Sequence, residues 1–344
     1  MQISLHCGVG VRGILLLAFT GLAACENQAS DVAPECVPYA GSSLVRVPPG
    51  TYALGNSSSL RNYETNRLTE SSRPPLISVN LQYSYFIQNT EVTSDSFLQL
   101  MGYDPTPRVT LIELVAGPPS YPIEPFNGSV PAHRVSWFEA LDYANALSEH
   151  EGLEPCYDLS SCTGSGADGT RWCDAAPGWE LDCEGYRLPT AVEWEVAARA
   201  GTEWDYTWTP FDSGYGEPQT YAAVLSLTIP SGFSGARPLP VGSLCPNDWQ
   251  LYDMQGNVAE WVIDGPYNAS ESIESFVFMR PNDGAQSDWW PGDSEFRETR
   301  GGHISSGQLP AALGVRRPLF PVDNDFINFH HQGFRLVRFD EWAE

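Results

Sequence analysis

Asp253-x-x-Gly256-x-Val258-x-Glu260 sets two carboxylates around a glycine-containing turn. Calcium takes about 6–8 oxygens, mixing carboxylates with carbonyls, so the spacing suits that ion; it also suits a hydrogen-bonded turn with a solvated Asp253. It lacks the acidic positions of an EF-hand loop. Sulfur is the second chemistry. Of eight cysteines, Cys7 lies in an apolar N-terminal stretch and Cys25 closes it, leaving Cys36, Cys156, Cys162, Cys173, Cys183 and Cys245. An even number in an exported chain favours disulfides, although six cysteines allow about 15 pairings. Nested pairs Cys156–Cys183 and Cys162–Cys173 would staple one loop and leave Cys36–Cys245. The four clustered cysteines are separated by 5, 10 and 9 residues, which matches no zinc pattern. Adjacent His330 and His331 diverge on a strand and do not chelate together. Arg316, Arg317 and Arg335 can take an anion or pair with nearby acids. Asp264, Asp293 and Glu295 can form an acid–base pair, though nothing in their spacing requires it. Trp289-Trp290 can stack on a sugar or peptide, or pack inside.

Composition narrows the chemistry. All 18 basic residues are arginine, in a chain of 344 residues with formal charge −25. Without lysine there is no Schiff-base enzyme, no P-loop lysine and no Ser-Lys hydrolase. The acidic balance argues against a nucleic-acid partner, because a phosphate backbone needs a cationic face. Hydrophobic residues at 42% and aromatics at 12% are enough for a packed core, while 31 Gly and 28 Pro imply a loop-rich one.

The elements that must position these residues follow. Residues 1–24 read as a signal: Arg12, then an apolar run from Ile14 to Ala24, too short to span a bilayer. The run ends Leu22-Ala23-Ala24-Cys25, which resembles a bacterial lipobox with Cys25 as the lipidated residue. An ordinary signal peptide cut nearby is the alternative. Residues 25–40 form a polar linker, 41–338 one body, and 339–344 a tail. Ser136-Trp137-Phe138-Glu139 and Thr190-Ala191-Val192-Glu193 are capping boxes that predict helix starts, the second helix stopping near Gly201. Thr93 opens a third helix with Phe97, Leu100 and Met101 on one face and Gly102 at its end. Short strands are expected at Leu76–Val79, Tyr83–Gln88 and Gly333–Val337. The class is α+β with much irregular loop.

The order of blocks then becomes specific. Val45-Arg46-Val47-Pro48-Pro49-Gly50-Thr51 is followed by Glu91-Val92-Thr93, Val135-Ser136-Trp137 and Gly185-Tyr186-Arg187-Leu188-Pro189-Thr190-Ala191-Val192-Glu193-Trp194-Glu195. Next come Leu251-Tyr252-Asp253-Met254-Gln255-Gly256-Asn257-Val258-Ala259-Glu260-Trp261, Arg300-Gly301-Gly302, Arg316-Arg317 and Gly333-Phe334-Arg335. In this order they resemble the formylglycine-generating enzyme, or sulfatase-modifying factor, family over about residues 41–338. The resemblance implies one compact C-type-lectin-like domain. It implies calcium at the 253–260 motif, held by the side chains of Asp253 and Glu260 and the carbonyls of Gly256 and Val258. A second family calcium site would fall near Ala223 and Val224, where no acidic ligand is present.

The family's enzyme oxidises a sulfatase cysteine to formylglycine with oxygen and copper, the copper resting on two cysteines five positions apart after the Arg-Gly-Gly block. The matching positions here are Ser306 and Ala311, and no cysteine follows Cys245. Hydroxyls and methyls do not replace the soft thiolates that hold Cu(I), so no copper is expected. The residues left to line a cleft are Arg300, His303, Ser306 and Arg316. The leading expectation is a lipid-anchored protein of the bacterial cell envelope, on the periplasmic face or cell surface. It acts there as a non-catalytic recognition or scaffold module for a protein, peptide or carbohydrate ligand. A divergent enzyme using His303, or a formylglycine-generating-type oxidase acting on an exported sulfatase-like protein, is the alternative.

Overall fold

Three helices begin where side chains satisfy the first backbone N–H groups. In the computed structural model, α1 is Ser94–Met101, with Thr93 Oγ1 accepting from the Ser96 N–H and Gly102 closing the end at φ 78°. The α2 helix, Trp137–His150, opens with a reciprocal box between Ser136 and Glu139. A second box, Thr190 with Glu193, opens α3, Ala191–Arg199. The left-handed turn that ends α3 starts at Ala200, one residue before the expected Gly201. The residues described are 39–56, 76–106, 128–173, 177–207, 222–223, 237–265, 297–306, 313, 317–319 and 331–343. Cys25, Cys36, Ala311, Arg316, Trp289-Trp290, Asp293, Glu295 and His330 lie outside them.

The strands are short. They are β1 Leu44–Val47, β2 Gly50–Leu54, β3 Ile77–Leu81, β4 Tyr83–Gln88, β5 Cys162–Thr163, β6 Trp172–Cys173, β7 Tyr186–Arg187, β8 Ala259–Trp261, β9 Arg297–Arg300, β10 Arg317–Leu319, β11 Gln332–Gly333 and β12 Val337–Trp342. One antiparallel sheet has the order β1-β4-β12-β7; another runs β10-β9-β8-β11, with β11 parallel to β8. The hairpins β2-β3 and β5-β6 stand apart from both. The strand expected over Gly333–Val337 is two strands in different sheets. Between them, Phe334 and Leu336 accept from the backbone N–H groups of Val92 and Gln88, carrying the chain from one sheet to the other.

Residues 36–344 form one compact unit with two hydrophobic clusters. One gathers Phe97, Trp137, Phe138, Leu141, Trp261 and Phe334; the other gathers Tyr85, Ile87, Trp194, Ala197, Val262 and Val337. Three buried indoles reach acceptors: Trp137 donates to Val262 O at 2.9 Å, Trp261 to Val135 O at 2.7 Å and Trp194 to Glu260 Oε2 at 2.7 Å. Burial of rings this large is affordable because the single polar atom of each is satisfied. Disulfides Cys156–Cys183 and Cys162–Cys173 tie the loop between α2 and β7. Cys245 is also disulfide-bonded.

Candidate functional site

Charged residues of the sequence blocks meet one another in the interior. Arg187 grips Glu193 through two bonds of 2.8 and 2.7 Å, and Arg335 grips Glu260 through two of 2.7 Å. Glu195 accepts from Arg199 at 2.8 Å and from Arg300 at 2.5 Å, and Arg300 also reaches Glu298 at 3.2 Å. All of these side chains are almost fully excluded from solvent. Forked guanidinium–carboxylate bonding is what makes such burial tolerable. Two of the arginines also lie over indoles, Arg300 over Trp194 at 5.3 Å and Arg187 over Trp179 at 5.7 Å. Arg300 is therefore a framework residue and does not line an open cleft, because its guanidinium is already neutralised by two carboxylates. Asp264 Oδ2 accepts from the Ala191 N–H at 2.6 Å, a role at the start of α3.

The Asp253–Glu260 turn is a bracket. Gly256 sits at φ 90°, and a Cβ there would stand 2.2 Å from Ala223 O. Only glycine allows that approach. The turn then binds its neighbours: Asn257 N donates to Ala223 O, Gly256 N to Gly301 O and Ile304 N to Asn257 O. It thus fixes the loop that follows β9. Of the four expected calcium ligands, the two side chains are already engaged within the protein. Both Glu260 oxygens face the Arg335 cation, one of them also Trp194, and Asp253 Oδ2 accepts from the Gly242 N–H at 2.7 Å. Asp253 is buried, where the sequence reading allowed a solvated one.

Beside this turn lies a carboxyl the sequence reading treated only as part of a block. Glu91 is 2% exposed and neither of its oxygens has a donor. It faces Asp253, and the two hydrogen-bond only when one is protonated. Burial, then the Asp253 charge, pushes the Glu91 carboxyl well above the usual range. Burial is also the main cause that raises Asp253 to about 6.

The loop after β9 carries the remaining cleft residues. Ser306 is buried, its Oγ accepts from the His303 N–H at 3.2 Å, and its own N–H donates to His303 O at 2.7 Å. Ser306 therefore shapes a turn. Two rings lie beside the His303 imidazole in series: His331 has its centroid 5.3 Å from that of His303, and His133 lies 6.1 Å beyond His331. His331 Nε2 meets Ser305 Oγ at 3.0 Å. His133 was not singled out by its sequence context. The five described cysteines, Cys156, Cys162, Cys173, Cys183 and Cys245, are all disulfide-bonded. Elsewhere, an open groove of about 420 Å³ is lined by Ser43, Gln88, Gln99, Tyr143, His150 and Tyr186, among others.

A family model for the sulfatase-modifying factor enzyme 1-like domain matches residues 28–339. The chain belongs to this family. It is 26% identical over 272 residues to Chaperone protein LppX of Paenibacillus barcinonensis, covering 72% of this chain and 78% of that protein. A 98-residue stretch is 35% identical to the formylglycine-generating enzyme of Thermomonospora curvata, covering 26% of this chain and 31% of that enzyme. Treponema denticola variable protein 1 shares the fold at a TM-score of 0.60 and 24% identity, over 89% of this chain and 99% of that one. These findings agree with the α+β class and with the resemblance drawn from the blocks. Among the described residues no helix is long and apolar enough to cross a membrane.

Proposed function

We propose that this protein is an exported, lipid-anchored, non-catalytic recognition module of the sulfatase-modifying factor family, with a chaperone-like role toward an exported polypeptide. The observation that carries it is the pairing of an intact charged framework with a metal position that holds no thiolate. Ser306 stands at the first cysteine position and serves the backbone of its own loop. The lipobox-like Leu22-Ala23-Ala24-Cys25 supports anchoring. The similarity to a protein named as a chaperone over most of both chains supports the role.

The test has two arms on the full chain purified in detergent. The first incubates it with copper, reductant, oxygen and a Cys-x-Pro-x-Arg peptide, and seeks aldehyde by mass spectrometry. None is expected beside a working cysteine-bearing control; aldehyde would establish the oxidase reading instead. The second follows light scattering of a chemically unfolded exported hydrolase on dilution. Suppression near equimolar ratio is expected, and scattering unchanged from an inert protein control would remove the chaperone role.

A further inference from the structure

We propose that the open groove between α1 and α2 is a metal-independent binding site for an uncharged saccharide. It lies where the two helices meet the ends of three strands: Leu44 opens β1, Gln88 closes β4 and Tyr186 opens β7. Ser96, Gln99 and Leu100 on α1, and Tyr143, Leu147 and His150 on α2, recur at helical spacing, which turns each set to one side. The volume of about 420 Å³ falls within the roughly 300–1,000 Å³ of small-molecule sites.

Two polar groups of the lining are left for a ligand to satisfy. Tyr143 is 3% exposed, its ring stacked on Phe97 at 5.3 Å and edge-on to Phe334 at 5.3 Å, so its hydroxyl is held in place. Among the described residues that hydroxyl has no hydrogen-bond partner. It feels the Glu151 carboxylate and the Tyr186 hydroxyl, both on the groove wall, which sets it on the groove side of the ring. Burial, then the Glu151 charge, pushes this phenol up, so it keeps its proton and can donate. Gln88 is the second. The Leu336 N–H donates to its Oε1 at 2.8 Å, which makes Nε2 the donor left over, again with no acceptor among the described residues. At the rim, the Tyr186 hydroxyl donates to Glu151 Oε2 at 2.8 Å and leaves Oε1 to accept. Exposed Ser43 and Gln99 add groups that donate and accept.

These groups select the ligand by exclusion. An anion would meet a carboxylate and, among the described lining residues, no arginine. A hard metal ion would find one carboxylate, already holding the Tyr186 hydroxyl. A wholly apolar ligand would desolvate the Tyr143 hydroxyl and Gln88 Nε2 without giving either a partner. What remains is a neutral ligand dense in groups that both donate and accept, with C–H surface for Leu44, Leu100 and Leu147. A sugar ring has that composition, whereas a peptide backbone carries its donor and acceptor on separate atoms, one pair per residue. The inference does not depend on the proposed chaperone-like role.

The experiment uses the full chain in a polyoxyethylene detergent, which has no sugar headgroup to compete. It is screened on an array of neutral saccharides, acidic saccharides and capped peptides, and the saccharides retained are titrated calorimetrically. One-to-one binding of a neutral saccharide is expected, unchanged by EGTA. Affinity should fall about tenfold in Tyr143→Phe and in Gln88→Glu, and stay at the wild-type value in Ser305→Ala. Because the Tyr143 hydroxyl has no described partner to lose, Tyr143→Phe should melt no lower than wild type, which separates its lost binding from lost folding. Retention of no neutral saccharide by the folded protein overturns the proposal, as does a preference for acidic saccharides or peptides. Binding that EGTA abolishes, or that both folded variants keep in full, overturns it too.

Discussion

Two stretches that adjoin in the chain follow opposite rules. Through α3, β8 and β9, charge is placed deep in the protein and matched: Glu193 with Arg187, Glu195 with Arg199 and Arg300, Glu260 with Arg335. Three residues past Arg300 begins a loop where His303 is half-buried, Ser305 is exposed, and buried Ser306 bonds only the backbone of its own turn. The first stretch supports the fold whatever the protein does. The second is where chemistry changes without disturbing that support, because Ser306 needs only a hydroxyl to hold its turn. A fold of this kind can therefore keep its frame while its metal position is refilled.

The comparison is most sharply tested by removing one member of a buried pair. Arg335→Ala should destabilise by about 3–5 kcal/mol in urea unfolding, because Glu260 is then left buried without its cation. An Arg335→Met/Glu260→Met double variant should recover most of that loss. A single variant of wild-type stability would show that the framework is not the support described.

Glu91 is an exception within the framework, since it lies beside Asp253 with no donor of its own. Both carboxyls have folded pKa values above their unfolded ones, so the native state binds more protons than the unfolded state. Stability from this pair is therefore greatest below the unfolded value of about 4 and is lost as pH rises through about 6, the value reached by Asp253. Glu91→Gln should remove that slope and stabilise the protein by about 1–3 kcal/mol at pH 8, with the gain shrinking toward pH 4. Parallel unfolding curves across pH check this; a variant with the wild-type slope would locate the titration elsewhere.

A smaller effect is expected at a cap. Ser136→Ala removes one half of the box at the start of α2 and should cost about 1 kcal/mol by thermal melting. No measurable loss would mean that α2 is held by its packing alone. The smallest expected effect is nil: EGTA should leave the melting temperature unchanged, because Arg335 already neutralises Glu260. A drop that calcium alone restores would return calcium to the 253–260 turn.

How much was legible depends on the range of the interaction. Helix starts at Thr93, Ser136 and Thr190 were readable because a cap and its N–H partner lie within three residues. The absence of thiolates beyond Cys245 was equally plain, being a matter of residue type. By contrast, the single strand read at Gly333–Val337 failed, since alternation along a segment does not reveal a change of sheet. Arg300 read as a cleft residue for a similar reason: its partner Glu195 is 105 residues away.

The sequence by itself determined the α+β class, the family, three helix starts and the loss of the cysteine pair, all of which rest on local spacing or on residue identity. Only the tertiary structure decided which acids Arg187, Arg300 and Arg335 neutralise, that Glu91 meets Asp253, and that His133, His303 and His331 lie in series. Those depend on which segments packing brings together, as Arg300 with Glu195 across 105 residues, where burial selects partners by position and no local pattern records the choice.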